Sequence, residues 1–227
     1  MNRAYPKMIK ILSILFFNLL CSMVVLAEQP KLIPHSISLK NGSHFSLNLP
    51  SNYEIIPAAE GLKRVRFFAK APDGRMFVTD MHDLSDNVKG SVYILNDWNA
   101  ETGKFGKTIP YITGLKNPNS VQFYTDPDGQ DWLYIAETHQ LSRRKFTQGE
   151  IKSTSKVEVL ATFPDYGLSY KYGGWHLTRT IAVGGNGKIY VSVGSSCNAC
   201  VEKEKLRASV LEMNPDGSEQ QIYAIGL

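Results

Sequence analysis

The sequence predicts an all-β chain built as a β-propeller of four-stranded antiparallel blades, and three observations carry that prediction. Three segments overlay: VRFFAKAPDGRMFVTD (Val65 to Asp80), VQFYTDPDGQDWLYIAE (Val121 to Glu137) and TIAVGGNGKIYVSVG (Thr180 to Gly194). Each is an apolar run, a turn of Asp, Asn and Gly, and a run rich in β-branched and aromatic residues, the pattern of a β-hairpin closed by a two-residue type I′ turn. The turn glycines Gly74, Gly129 and Gly187 are 55 and 58 residues apart (129−74, 187−129), a period made of short strands that marks propeller blades. A glycine marker also precedes each hairpin: Gly61-Leu62, Gly114-Leu115, Gly173-Gly174 and finally Gly226-Leu227.

In chain order, residues 1–27 read as a secretory leader: basic Arg3, Lys7 and Lys10, an apolar run from Ile11 to about Leu26, and Val25-Leu26-Ala27 as the cleavage site. The apolar run is short for a spanning helix, and Leu20 is too large for the position before a lipidated Cys21. Removing the leader leaves 200 residues (227−27) and takes the net charge from +4 to +1, with 22 bases (25−3) against 21 acids. That balance gives no footprint for nucleic acid.

Residues 28–227 are then a partial propeller. The alternating runs Ser36 to Leu39, Phe45 to Leu49 and Tyr53 to Ile56 are candidates for an outer closing strand, and His35 and His44 sit among small polar residues as solvated side chains. The first blade spans about 61–112, with Val92 to Leu95 as its third strand. The second spans about 114–163, with Lys156 to Thr162 as its fourth strand, and the third about 173–225; a fourth begins at 226. The turn Asp126-Pro127-Asp128-Gly129 lacks the further acids of a calcium loop, and Arg143-Arg144-Lys145 alternates faces on a strand as solvated surface. Phe67, Phe77, Phe123, Trp132, Tyr134 and Tyr190 read as blade core.

Call the strands of a blade A to D. The A–B turns then lie on one face of the propeller, and the B–C and D–A loops on the other. That second face collects Leu115 to Ser120, Glu137 to Gln140, Gly173 to His176 and Ser195 to Cys200. His176 stands where an innermost strand begins, so its imidazole can face the central channel and exchange a proton near neutral pH. Arg179 follows three residues on; His82 and His139 occupy B–C loops of the same face. The aromatic and glycine-rich stretch Phe163 to Trp175 suits either stacking on a sugar or planar cofactor, or packing between blades. After export two cysteines remain, Cys197 and Cys200. With no following His for haem and no second pair for zinc, they read as a small disulfide loop, and no metal site is assigned.

GLKNPNSVQFY, LYIAETHQLSRRKF, GGWHLTRTIAVGGNGKIYVSVGSSCNAC and RASVLEMNPDGSEQQIYAIGL resemble the sorbosone dehydrogenase-like branch of the soluble quinoprotein sugar dehydrogenases, over residues 61–227. The resemblance implies a six-bladed propeller that uses pyrroloquinoline quinone (PQQ) and calcium. It implies that His176 is the general base that removes a sugar hydroxyl proton while hydride passes to the quinone, and that an external acceptor takes the electrons. Asn117, Asn119 and Arg179 are candidate cofactor neighbours on the same face. Trp175 stands where glucose-oxidising members carry a carboxylate, which leaves the sugar open. Six blades of this period need roughly 330 residues, so the expectation is a truncated chain, or one that closes its ring with a second chain or by self-association. Two other function classes stay open: a non-catalytic propeller that binds a partner, and a metal-dependent lactonase for which Glu137 and Asn117 are the candidate ligands.

Overall fold

The computed structural model describes residues 29–165 and 176–226. The leader with Cys21, the stretch from Tyr166 to Trp175 with Gly173 and Gly174, and Leu227 lie outside the described residues. Two compact units divide the chain, residues 1–55 and 56–227.

In the first unit, β1 (Leu32–Ser38) and β2 (His44–Pro50) pair with each other as a two-stranded antiparallel sheet, Leu32 opposite Pro50 and Ser38 opposite His44. The runs expected to supply a closing strand are therefore the two arms of a local hairpin, and Tyr53 to Ile56 forms no strand. The cause is the turn at 39–43: Leu39 N–H bonds Ser43 O at 2.9 Å and Gly42 adopts φ 86°, which brings the second run straight back onto the first. His44 is exposed, its Nδ1 2.9 Å from Ser38 Oγ.

The second unit holds three four-stranded antiparallel sheets, each in plain sequence order. The first is β3 (Val65–Lys70), β4 (Met76–Asp80), β5 (Gly90–Asn99) and β6 (Lys104–Leu115). The second is β7 (Ser120–Thr125), β8 (Asp131–Ala136), β9 (Gln140–Lys145) and β10 (Glu158–Thr162), and the third is β11 (Arg179–Val183), β12 (Ile189–Val193), β13 (Ser209–Met213) and β14 (Gln221–Ile225). Strand β7 lies against both β3 and β11, so the first strand of each sheet is its inner one.

The hairpin turns differ from the expected two-residue type. In each, two bonds close a three-residue loop: Ala71 N–H to Arg75 O with Gly74 N–H to Ala71 O, and the same pattern at 126–130, 184–188 and 214–218. The glycines carry φ values of 76–85°, whereas Asp73, Asp128, Asn186 and Asp216 do not have positive φ. A type I′ turn needs positive φ at both central residues; here a type I turn is followed by one left-handed glycine. The Asx side chains prefer this arrangement because they cap it: Asp126 Oδ1 accepts the N–H groups of Asp128 (3.1 Å) and Gln130 (2.8 Å), and Oδ2 accepts Trp132 Nε1–H at 2.9 Å.

Two apolar layers glue the sheets. Between the first and second lie Phe77, Val92, Ile94 and Tyr111 against Phe123, Leu133, Ile135 and Phe146; between the second and third, Trp132, Tyr134 and Leu141 against Ile181, Ile189, Val191 and Met213. The central sheet therefore buries both faces, and all six residues of β8 are inside. In the third sheet β12 alternates, with Ile189, Val191 and Val193 inside and Tyr190 and Ser192 half-exposed. Phe77 is the hub of the first layer: its ring meets Tyr111 and Phe123 edge-on at 5.0 Å and Phe146 at 5.6 Å. Phe67 and Tyr190, expected in the core, are half-buried. Arg143 is not solvated surface: it stacks on Trp132 at 3.8 Å and bonds Glu158 at 2.8 Å and Pro215 O at 2.9 Å, joining the second and third sheets.

Arg75 ties the first sheet to the second, reaching Asp73 at 2.6 Å and Glu150 O at 2.7 Å with its guanidinium near the Phe77 and Phe146 rings. Burial pushes the Asp73 carboxyl up, but hydrogen bonds from the Arg75 side chain and from the Gly149 and Arg75 N–H groups outweigh it and hold the carboxyl below its ordinary value. A group depressed in the fold stabilises above its unfolded pKa and loses that contribution as pH falls through the folded value. The stability gap between the protein and Asp73→Asn accordingly narrows from about pH 6 to about pH 3 in urea denaturation. Phe77→Ala costs about 3–5 kcal/mol by the same measurement, the range for emptying a fully buried aromatic site.

Candidate functional site

The loops that leave each second strand and enter each first strand share one end of the sheets, and they are cross-tied. Asn117 donates to Ser85 O at 2.8 Å and accepts Asn87 N–H at 3.2 Å. Lys116 Nζ lies 3.2 Å from Asp86 and 2.6 Å from Asp165, and the bond it donates to Asp165, ahead of that to Asp86, holds its ammonium pKa above the usual value. Thr138 N–H bonds Lys116 O at 3.3 Å, and Phe163 N–H bonds His139 O at 2.8 Å. Non-glycine residues here take left-handed backbone, among them His82 (φ 70°) and Asn117 (φ 44°), each held by the bonds of its loop.

A repeating latch organises this end. In the first sheet the carboxylate of Asp80, at the end of β4, accepts the N–H groups of Lys63 (2.7 Å), Arg64 (2.8 Å) and His82 (2.8 Å). In the second, Glu137, just after β8, accepts Lys116 N–H at 2.6 Å and the Gln140 amide at 2.8 Å. Each acid pins the segment that enters its own inner strand. In the third sheet the residue after β12 is Gly194, which is packed against His176: a Cβ on Gly194 would sit 2.6 Å from the His176 Cβ. The end of this strand therefore carries no carboxylate latch and lies directly against the histidine.

His176 is half-buried, and its Nδ1 lies 3.1 Å from the carbonyl oxygen of Ser195. A carbonyl oxygen only accepts, so Nδ1 carries the hydrogen in the neutral ring and Nε2 holds the lone pair. Among the described residues nothing bonds Nε2. The geometry makes that atom a proton acceptor with a fixed tautomer.

The three residues nominated as cofactor neighbours are tied into the protein. Asn119 is buried; its amide donates to Arg179 O at 2.9 Å and accepts Arg66 Nε–H at 2.9 Å, while its own carbonyl accepts the Thr79 hydroxyl at 2.8 Å. Asn117 is buried in the loop bonds already given. Arg179 is 1% exposed, and its guanidinium reaches the carbonyl oxygens of His176 (3.1 Å), Thr178 (3.1 Å) and Pro164 (2.9 Å), above the Phe163 ring at 5.6 Å. Burial first, and then the neighbouring Arg207 charge, pull its pKa down to about 10, which still leaves it charged at neutral pH. Its Nε–H is buried and, among the described residues, has no acceptor. Glu137 and Asn117, the candidate lactonase ligands, spend their polar atoms on the loop bonds above.

Cys197 and Cys200 are joined in a disulfide, followed by Glu202, whose carboxylate accepts the Ser196 N–H at 2.5 Å and hydroxyl at 2.7 Å. Among the described residues these two sulfurs and Glu202 are the one group of potential metal ligands that converges. Sulfur donors do not suit calcium. The sequence reading placed Lys116 and Ser195 on this face without giving either a role, and gave none to Gly194 or Asp165. Asp80, Glu137 and Gly194 stand six, eight and seven residues after their turn glycines (80−74, 137−129, 194−187), so counting along the hairpins does not align them, and the role of the acids depends on seeing what they bind.

No family model matches the chain, and no curated protein matches it. Solved structures do. The PQQ domain of pyranose dehydrogenase from Coprinopsis cinerea, in its holo form, superposes with a TM-score of 0.52 at 15% identity, over 72% of this chain and 36% of that one. The PQQ-bound aldose sugar dehydrogenase from Streptomyces coelicolor gives 0.49 at 16%, over 70% and 47%, and the calcium-binding protein regucalcin from Agrobacterium tumefaciens gives 0.48 at 19%, over 71% and 45%. The chain thus spans about a third of the length of the first and under half of the others. The fold is the β-propeller.

Because the Gly194 site has no room for a methyl group against the His176 backbone, Gly194→Ala displaces the histidine. The expected cost is about 1–3 kcal/mol in urea denaturation, with a shift of the His176 ring resonances larger than that of His44, which lies in the other unit.

Proposed function

We propose that the chain carries the base-bearing blades of an exported, PQQ-dependent sugar dehydrogenase that oxidises an aldose or sorbosone-like substrate and passes the electrons to an external acceptor. The observation that carries this reading is His176: an imidazole with Nδ1–H committed to Ser195 O at 3.1 Å, inside the GGWHLTRT and GSSCNAC segments that bear the resemblance. The propeller fold shared with the pyranose dehydrogenase PQQ domain supports it, as does the disulfide, a bond of oxidising compartments.

In this reading the Nε2 lone pair of His176 takes the proton of the sugar hydroxyl, and the positive charge that develops on the ring is met by the Ser195 carbonyl at Nδ1–H. Arg179 fixes the loop that bears the base through its bonds to His176 O and Thr178 O. PQQ, when bound, supplies the acceptor for the substrate's hydride. Of the nominated neighbours, Arg179 fits such a group through its Nε–H, which has no acceptor among the described residues and can meet a carboxylate; Asn117 and Asn119, with their amides engaged, serve as scaffold. Calcium finds no fit in the sulfur-rich set at Cys197, Cys200 and Glu202, and no step is drawn through it.

The test is reconstitution of the mature chain with PQQ and calcium, followed by dye reduction with a panel of aldoses and sorbosone. Turnover is expected, and it falls by about 10²–10⁴-fold in His176→Ala, the range for removal of a general base. Turnover unchanged in that variant, or lactone hydrolysis that needs calcium and no quinone, overturns the reading.

A further inference from the structure

The small ring after β12 touches the histidine through one side chain. Ser195 Oγ lies 2.7 Å from the Cys197 carbonyl oxygen and 2.7 Å from His176 Nδ1. A hydroxyl has one hydrogen. The Cys197 carbonyl can only accept, so it takes that hydrogen, and the Ser195 oxygen turns a lone pair to Nδ1. Two acceptors from one residue, Ser195 O at 3.1 Å and Oγ at 2.7 Å, then share the Nδ1 hydrogen. The lone pair at Nε2, already favoured by the Ser195 carbonyl, is reinforced by where the Cys197 carbonyl stands.

What holds that carbonyl is local and covalent. Cys197 and Cys200 close a disulfide across a separation of three residues. The ring is anchored from outside by Glu202, which grips Ser196 by N–H and hydroxyl, and the Ser196 hydroxyl lies 3.7 Å from Cys200 Sγ. From Val193, the last residue of β12, to Ser209, the first of β13, the chain forms no strand, so its geometry at Ser195 depends on the ring rather than on a sheet.

We infer that the Cys197–Cys200 ring is a positioning device for His176: acting through the positioning residue Ser195, it sets the imidazole tautomer, and opening the ring by a dithiol reductant releases it. The inference rests on the reading of His176 as the base. In the opening step the S–S bond takes up two electrons and two protons, two S–H bonds form, and the dithiol closes to its own cyclic disulfide. The Cys197 carbonyl then loses its fixed place, the Ser195 hydrogen is free to turn to Nδ1, and the hydrogen on the ring can move to Nε2, where it blocks proton acceptance.

The experiment reads the ring, with neither quinone nor sugar present. The mature chain, labelled with ¹⁵N in its histidines, is followed by long-range ¹H–¹⁵N correlation before and after the dithiol. His176 is expected as the Nδ1–H form in the oxidised protein. The ratio of the two tautomers moves toward Nε2–H by roughly two- to tenfold on reduction and in Ser195→Ala, the worth of one hydrogen bond, while Ser195→Thr, which keeps the hydroxyl, stays with the parent. If the reduced protein loses its dispersed spectrum, the alanine and threonine variants decide. A ratio unchanged by reduction and by Ser195→Ala overturns the device. It leaves the dehydrogenase reading standing if His176→Ala still abolishes turnover; a ring that shifts in a protein with no quinone-dependent turnover overturns that reading alone.

Discussion

The buried amide of Asn119 is the constraint on which the arrangement of the three blades depends. It accepts from Arg66 next to the first inner strand's start, donates to the main chain of Arg179 on the third, and its own carbonyl takes the hydroxyl of Thr79. Its N–H goes to Ala136 O, and the adjacent Ser120 hydroxyl accepts Ile181 N–H at 3.2 Å. Buried polar groups cost several kcal/mol when left unpaired, so the bonds of this amide favour one registration of the inner strands. The apolar layers between sheets are broad and would tolerate sliding; the amide does not. It fixes where Arg179 lies, Arg179 fixes the His176 loop, and the position of the imidazole follows.

The end of the third blade differs from the corresponding ends of the other two. Asp80 and Glu137 clamp their incoming loops with carboxylates that accept N–H donors from those loops. In the third blade β12 is followed by Gly194, against which His176 packs, and the polar ring there is held through Nδ1 while no described residue bonds its other nitrogen.

Much of this fold was legible in the sequence, because the hairpin period and the alternation of apolar residues are local properties. The order of the sheets, the inner strands and the shared loop face all follow from counting strands between turns. The turn type was misjudged: Asp-Gly reads as a two-residue turn, but a proline or glycine two places before the turn glycine and an Asx side chain that caps its own loop favour three. The first alternating runs were read as closing strands because period alone does not say which partner a strand takes; a left-handed Gly42 decides for the nearest one. At the site, the position of His176 was visible, since strand entry is a matter of register. The commitments of Asn117, Asn119 and Arg179 to the main chain were not, because bonds between residues 60 apart, such as Asn119 to Arg179, leave no periodic trace.

The central blade adds a dimension of time. Trp132, Tyr134 and Leu141 are covered by side chains of the third blade, from Ile181 to Met213. A ribosome makes roughly 5–20 residues per second, so for an interval on the order of ten seconds the second blade exists with one greasy face and no cover. The strand that is most secure in the finished molecule is, for those seconds, the one most open to sticking elsewhere, and holding it apart until the third blade arrives is a task for whatever escorts the nascent chain.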